Sequence, residues 1–200
     1  MIAKRIFDFL TSLVGFILLS PLFLLVALWV RLDSPGPVFF RQERVGLHGR
    51  TFRIHKFRTM RTDAERRGLQ ITVGSDSRIT RAGAFLRKYK LDELPQLLDV
   101  LAGEMSLVGP RPEVPRYVAH YPGDVRERIL SVRPGITDWA SIKFRNENEL
   151  LSNASDAERT YIEQILPIKQ RMHLEYVATR SFGGDLRILL QTLGAVSRAE

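Results

Sequence analysis

Cysteine is absent from the 200 residues, which excludes a disulfide framework, a thiolate metal site and a cysteine nucleophile. The phosphate-cradling GxxxxGK(S/T) and GxGxxG loops and the HExxH helix are missing too, and His48, His55, His120 and His173 lack metal-ligand spacing. Nucleoside triphosphate hydrolysis and zinc chemistry are thereby set aside. No internal repeat or low-complexity linker divides the chain, so the expectation is one domain of ordinary size plus an anchor. Net negative charge is lacking everywhere: the formal charge is +8, all of it in the first hundred residues, and the second hundred is balanced. Such asymmetry points to a polyanionic partner, whether nucleic acid, anionic lipid or a phosphorylated substrate. There is no zinc finger, no RNP signature and no obvious recognition helix, so no nucleic acid is expected. A membrane-tethered nucleic-acid binder and a non-catalytic scaffold remain the alternatives to an enzyme.

Charged side chains are also missing from Phe9 to Val30, an apolar run of 22 residues. About 20 residues suffice to cross a bilayer's hydrocarbon core. The run is longer than a signal-peptide core of about 7–15 residues, and no small-x-small cleavage site follows it. Pro21 removes its own backbone donor and crowds the carbonyl of Ile17, which predicts a kink or break there, with Ser20 able to occupy the freed carbonyl. Lys4 and Arg5 precede the run and Arg31, Arg41 and Arg44 follow it, so the positive-inside rule puts both ends on the cytoplasmic side. A re-entrant hairpin meets both conditions. A tilted spanning helix that tolerates its proline is the other geometry.

Beyond the anchor, Asp33-Ser34-Pro35-Gly36-Pro37 is a turn cluster, and Val38–Phe40 and Thr51–Ile54 read as short strands around the Gly46–Gly49 loop. Residues 62–80 are polar, with little periodicity, and are a lid candidate. Leu91, Leu94, Leu97, Leu98 and Leu101 recur at helical spacing before a Gly103 cap. Ser155-Asp156-Ala157-Glu158 has capping-box form ahead of a helix that Pro167 should interrupt. A last amphipathic helix runs from about Asp185 to Val196, with Leu186, Ile188, Leu189 and Leu193 able to enter a core or a membrane interface.

Three clusters can carry chemistry. Lys56-Phe57-Arg58 sends two basic side chains to one face of an extended segment, where they can hold phosphates or meet lipid headgroups. Asp92-Glu93 opens the leucine-rich helix. Asp92 as N-cap and Glu93 on the helix dipole would explain both without catalysis. Alternatively one carboxylate attacks phosphorus while the other helps hold a hard cation such as Mg²⁺, which suits carboxylate and phosphate oxygens. Pro110-Arg111-Pro112 sets an arginine in a rigid backbone, as a preset phosphate or base clamp or as a solvent-facing turn. Arg133-Pro134-Gly135-Ile136-Thr137 repeats that logic, and Trp139 can be core or an interfacial anchor.

Taken in order, KRIFDF, the Ser20-Pro21 apolar segment, SPGPVFFRQERVG, FRIHKFRTM, LRKYKLDELPQLLDVLAGEMSLVGPRPE and VRPGIT resemble the bacterial sugar transferases, the monotopic phosphoglycosyl transferases, in their small form. The resemblance covers nearly the whole chain. It implies a re-entrant membrane helix broken at Ser20-Pro21 over residues 1–32, and a catalytic domain over residues 33–200 on the cytoplasmic face of the bacterial inner membrane. The implied fold is α/β, mixed and helix-rich, with amphipathic interfacial helices. The implied reaction moves a phosphosugar from a UDP-sugar to polyprenyl (undecaprenyl) phosphate. Asp92 would be the covalent nucleophile, Glu93 the Mg²⁺-associated partner, and Lys56, Arg58, Arg87 and Arg111 the phosphate and nucleotide contacts. Departures from the family pattern fall at Asp99, where Asn is common, in DWASIKFRNEN after RPGIT, and near His173, where a late Asp is usual. They leave the Asp92-Glu93 pair intact, and the identity of the sugar does not transfer.

Overall fold

The structure is a computed structural model and describes residues 2–63 and 76–197. Most of the lid candidate, residues 64–75, lies outside the described residues. The architecture is a mixed, helix-rich α/β arrangement. Its first element, α1 (Ile2–Asp33), is one helix that continues through Pro21, where the sequence predicts a kink or break. Ser20 Oγ donates to the Ile17 carbonyl at 2.8 Å, the acceptor that Pro21 leaves without a partner. The buried residues Asp8, Ser12, Phe23, Val26 and Val30 lie on one stripe. From Ser12 to Phe23 is three turns at 3.6 residues each, so the stripe keeps its phase across the proline. Leu10, Val14, Ile17, Leu18, Leu24 and Leu25 face outward.

After the turn cluster, β1 (Phe39–Val45) and β2 (Thr51–Phe57) form an antiparallel hairpin in register Phe39↔Phe57 to Val45↔Thr51. Both strands are longer than the sequence pattern indicates. Then come α2 (Arg81–Lys88), a 3₁₀ turn at Leu91–Glu93 and α3 (Gln96–Ala102), which Gly103 ends in the left-handed region at φ +88°. The continuous helix expected from the leucine spacing is thus split at Pro95, and Asp92 makes no capping bond. A parallel pair, β3 (Ser106–Val108) with β4 (Gly135–Thr137), encloses α4 (Pro115–Val118) and α5 (Gly123–Ile129) in its crossover. The chain ends in α6 (Trp139–Lys143), α7 (Glu147–Ser152), α8 (Ala157–Thr160), a π turn at Tyr161–Ile165, α9 (Leu166–Thr179) and α10 (Phe182–Ser197). The π turn falls just before Pro167, as that proline's missing donor requires. Asp156, one residue past the expected Ser155, caps α8 by accepting from the Arg159 amide at 3.0 Å.

Three apolar clusters hold these elements. One joins β2, α3 and β3 to Tyr176 and Ile188, with Trp139 packed against it. A second joins Val114, Tyr117 and Ile129 to Tyr161 and Leu166. The third sets the C-terminal half of α1 against Phe57, Ala82 and Leu86. Ile188 is therefore core, and the outer face of α10 is Phe182, Leu186, Leu190 and Leu193.

Polar contacts fasten α1 at both ends to this one body. Near its N-terminus, Lys4 Nζ lies 2.7 Å from Asp185 Oδ2, and Ser106 Oγ donates to Asp8 Oδ2 at 2.7 Å. At its C-terminus, the Ala82 amide donates to Asp33 Oδ2 at 3.0 Å.

Candidate active site

The 3₁₀ turn places Asp92 and Glu93 at the wall of a cavity of about 1860 Å³, which Lys56, Arg87 and Arg111 also line. Local geometry explains the convergence. Lys90 adopts the left-handed region at φ 56° and reverses the chain after α2, so that the next residues turn inward. From the facing loop, Gly109 donates to the Thr137 carbonyl at 3.1 Å and Gly135 to the Pro110 carbonyl at 3.0 Å. A Cβ on Gly135 would stand 2.1 Å from the Gly109 nitrogen, so this close crossing needs glycine. The crossing and the flanking prolines fix the backbone that carries Arg111.

Glu93 is held on two sides. Lys56 Nζ donates to Oε1 at 2.8 Å, and Arg111 grips both oxygens, Nη1 donating to Oε2 at 2.9 Å and Nη2 to Oε1. Burial works to raise the Glu93 carboxyl, but the charges and hydrogen bonds of Arg111 and Lys56 outweigh it and hold Glu93 well below the usual carboxylate range. Its neighbour moves the other way. Asp92 is only 8% exposed, and its Oδ1 has no hydrogen-bond partner among the described residues. Burial and then the Glu93 charge push the Asp92 carboxyl up, against the pull of Lys56, Arg87 and Lys90. Two adjacent carboxylates thus sit in opposite electrostatic states, one neutralised by cations and one buried with a bare oxygen, which is how paired acids divide their work.

Of the six expected site residues, five converge here. Arg58 also borders the cavity, yet it is only 4% exposed and its guanidinium is committed elsewhere. It donates to the Pro35 carbonyl at 2.9 Å, the Ser34 carbonyl at 2.6 Å and the Val30 carbonyl at 3.2 Å, closing the turn after α1. Ser20 and Pro21 lie within α1. Asp99 is no third carboxylate of the site: its two oxygens take the His55 amide at 2.9 Å and the His55 ring Nδ1 at 2.6 Å, tying α3 to β2. Among the described residues, no group of three or more His, Cys, Asp or Glu converges as a metal-ligand set.

Of the far wall, the sequence marks only the DWASIKFRNEN stretch and His173, as departures from the family pattern, and not Glu113, Tyr161 or Lys169. There Arg44 donates to the Pro112 carbonyl at 2.9 Å and lies 4.0 Å from Glu113, and the Tyr161 hydroxyl donates to Glu113. Lys169 pairs with Glu147 and sits 4.8 Å above the Tyr161 ring. Glu113 adjoins the arginine-proline motif and was findable on that ground. Lys169 lies in α9, where no periodic signal marks it.

With this geometry in view, the bacterial sugar transferase family model matches residues 1–199. The chain belongs to the bacterial sugar transferase family. It is 40% identical over 195 residues to a UDP-glucose:undecaprenyl-phosphate glucose-1-phosphate transferase of Xanthomonas campestris pv. campestris, covering 96% of this chain and 38% of that protein. It is 38% identical over 195 residues to a UDP-N-acetylgalactosamine-undecaprenyl-phosphate N-acetylgalactosaminephosphotransferase of Aeromonas hydrophila, covering 96% of this chain and 43% of that one. An uncharacterized sugar transferase of Bacillus subtilis (strain 168), EpsL, is 38% identical over 200 residues, which cover all of this chain and 90% of EpsL. The chain therefore spans less than half the length of the first two relatives. Nearly equal identity to proteins named for different sugars means that overall similarity does not select the sugar for this sugar transferase.

Proposed function

We propose that this sugar transferase moves a phosphosugar from a UDP-sugar to polyprenyl phosphate, undecaprenyl phosphate being the acceptor named for its relatives. The observation that carries the proposal is the bare, buried Asp92 Oδ1 beside a Glu93 already neutralised by Lys56 and Arg111. Asp92 Oδ1 attacks the sugar-bearing phosphorus, and the bond from that phosphorus to the bridging oxygen breaks, with UMP leaving. The enzyme then holds an aspartyl phosphosugar. A phosphate oxygen of the polyprenyl phosphate attacks the same phosphorus, the acyl phosphate bond breaks, and Asp92 returns as carboxylate with polyprenyl diphosphate sugar as product. Arg111 and Lys56, which hold Glu93, and Arg87 put positive charge on the cavity wall that the diphosphate meets.

Mg²⁺ suits the hard carboxylate oxygens of this pair. Asp92, by the oxygen that does not attack phosphorus, and Glu93, whose two oxygens accept from Lys56 and Arg111 in the structure, would hold it, and it would screen the repulsion between a carboxylate and an anionic diphosphate.

The placement we propose is supported by α1. The helix is long and apolar enough to cross a membrane, and most of it faces away from the protein. At 1.5 Å per residue its 32 residues reach about 48 Å, more than the roughly 30 Å of a bilayer core. Yet both its ends are tied to one body. That favours a re-entrant anchor, residues 1–32, entering and leaving by the cytoplasmic face of the inner membrane, with residues 33–200 as the catalytic domain. The basic first half then lies against anionic lipid.

The test is UMP release from a panel of UDP-sugars by detergent-held protein with Mg²⁺ and polyprenyl phosphate. Release that needs the acceptor and is lost in Asp92→Asn by about three orders of magnitude or more is expected for a missing nucleophile. An Asp92→Asn protein as active as wild type would remove the covalent route, and a folded wild type that releases UMP from no donor would favour a scaffold.

A further inference from the structure

The cavity does not end at its charged wall. Leu97 of α3, Leu107 of β3, Ile136 of β4 and Leu189 of α10 line it as well, and all four belong to or pack against one apolar cluster. The β3–β4 register sets Leu107 beside Ile136, and the Ile136 carbonyl accepts from Arg111 Nη1 at 3.4 Å. The apolar strip therefore begins against the arginine that grips Glu93. Toward its other end lie two exposed residues that also line the cavity, Thr11 on α1 and Leu193 on α10. Leu193 is one helical turn beyond Leu189, and a Cβ on Gly15, one turn beyond Thr11, would stand 3.6 Å from Leu97 Cδ1. The Phe7 and Phe182 rings, 5.1 Å apart, hold α1 against α10.

The rim at Thr11 and Leu193 is continuous with the outward apolar faces of both helices. No charged side chain occurs from Phe9 to Val30 on α1 or from Ile188 to Ala195 on α10, and Leu10, Val14 and Leu190 are exposed there. The two ends of the strip thus call for different chemistry. The end at Arg111, Lys56 and Arg87 suits a phosphate. The leucines and isoleucine suit hydrocarbon, which gains by leaving water and brings no polar group that would go unpaired. A UDP-sugar is polar along its whole length and matches only the first end. A phosphate carried on an isoprenoid chain matches both.

We propose that the strip of Leu97, Leu107, Ile136 and Leu189, entered between Thr11 of α1 and Leu193 of α10, holds the isoprenoid chain of the polyprenyl phosphate next to its phosphate. This rests on the phosphosugar-transfer reading above. The chain passes from the apolar face of α1 to the cavity without crossing water, and its phosphate arrives beside Arg111. Each methylene laid on the strip adds to affinity, so the length of the acceptor chain is read here as well as in the bilayer.

The experiment measures kcat and KM for UMP release in detergent with Mg²⁺ and the preferred UDP-sugar, with undecaprenyl phosphate or the short geranyl phosphate as acceptor. Wild type is compared with Leu189→Ala, Thr11→Trp and Leu190→Ala, the last on the outward face of α10 and not on the cavity wall. Wild type should prefer the long acceptor in kcat/KM. Leu189→Ala and Thr11→Trp should cut that preference by about three- to tenfold through KM for the long acceptor, while KM for the UDP-sugar holds and Leu190→Ala matches wild type. A preference unchanged in both variants, an equal cut in Leu190→Ala, or a wild type indifferent to chain length would overturn the strip and leave the transferase reading standing. A wild type that releases UMP from no donor with either acceptor overturns both. Should Leu189→Ala lose its thermal transition, Thr11→Trp decides alone, since Thr11 is exposed and outside the apolar clusters.

Discussion

Asp92 and Glu93 share a peptide bond, and their surroundings pull their carboxyls apart. Because burial raises Asp92, its folded form binds a proton more readily than the unfolded chain, so its contribution to stability is present at low pH and lost as pH rises through its folded value. Glu93 is depressed, so its contribution is present above the ordinary carboxylate value and lost as pH falls through the folded one. At neutral pH, Asp92→Asn should therefore raise the thermal midpoint while abolishing turnover, a function-for-stability exchange that a thermal scan reads directly. Glu93→Gln should instead lower the midpoint and cost about 3–5 kcal/mol, because it leaves Lys56 and Arg111 largely buried and without their carboxylate. If both substitutions shift the midpoint the same way, the opposed poise of the pair is wrong. On the proposed route, attack on phosphorus requires ionised Asp92, so UMP release should rise with pH through a midpoint above the ordinary aspartate value of about 3.9. Arg87 is one of the charges pulling that midpoint down. Arg87→Met should move the acid limb of the kcat/KM profile to higher pH, and an unmoved limb would exclude Arg87 from the field at Asp92.

At the scale of elements, glycine chemistry decides which contacts are rigid. In α2, a Cβ on Gly83 would meet the Thr59 carbonyl at 2.0 Å, while one on Gly123 at the start of α5 would meet nothing. Alanine favours helix at both positions, so only packing separates them. Gly83→Ala should destabilise by about 1–3 kcal/mol through overpacking against the Thr59 backbone just after β2. Gly123→Ala should stabilise by about 0.4–1 kcal/mol through the unfolded chain. Chemical denaturation of the two variants checks both signs, and a stabilised Gly83→Ala would refute the close approach of α2 to Thr59. The hairpin and the last helix were legible because alternation and 3.6-residue periodicity report burial on one face. The split between the 3₁₀ turn and α3 was not, since five leucines at helical spacing outvote one proline in any pattern count.

For the whole molecule, the decisive feature is that a helix with an outward apolar face is anchored to its own domain at both ends. Absence of cysteine makes this testable without background substitutions. Single cysteines at Ile2 and Leu32, which are 81% and 76% exposed, should react with a membrane-impermeant maleimide from the same side, in inverted vesicles but not in intact cells. Labelling from opposite sides would establish a spanning helix and end the re-entrant proposal.

The sequence by itself determined the apolar anchor, the Asp92-Glu93 pair and the proline-flanked Arg111, because hydropathy, adjacency and backbone restriction are local properties. Only the tertiary structure decided what those residues face. Glu93 meets Lys56 and Arg111 across 37 and 18 residues of chain. Arg58 turns from the expected phosphate toward three carbonyls, and Asp99 meets His55 across 44 residues. Burial and partnership are set by segments far apart in sequence, so the poise of each charge, and the apolar strip beside Arg111, exist only once the chain has closed around the cavity.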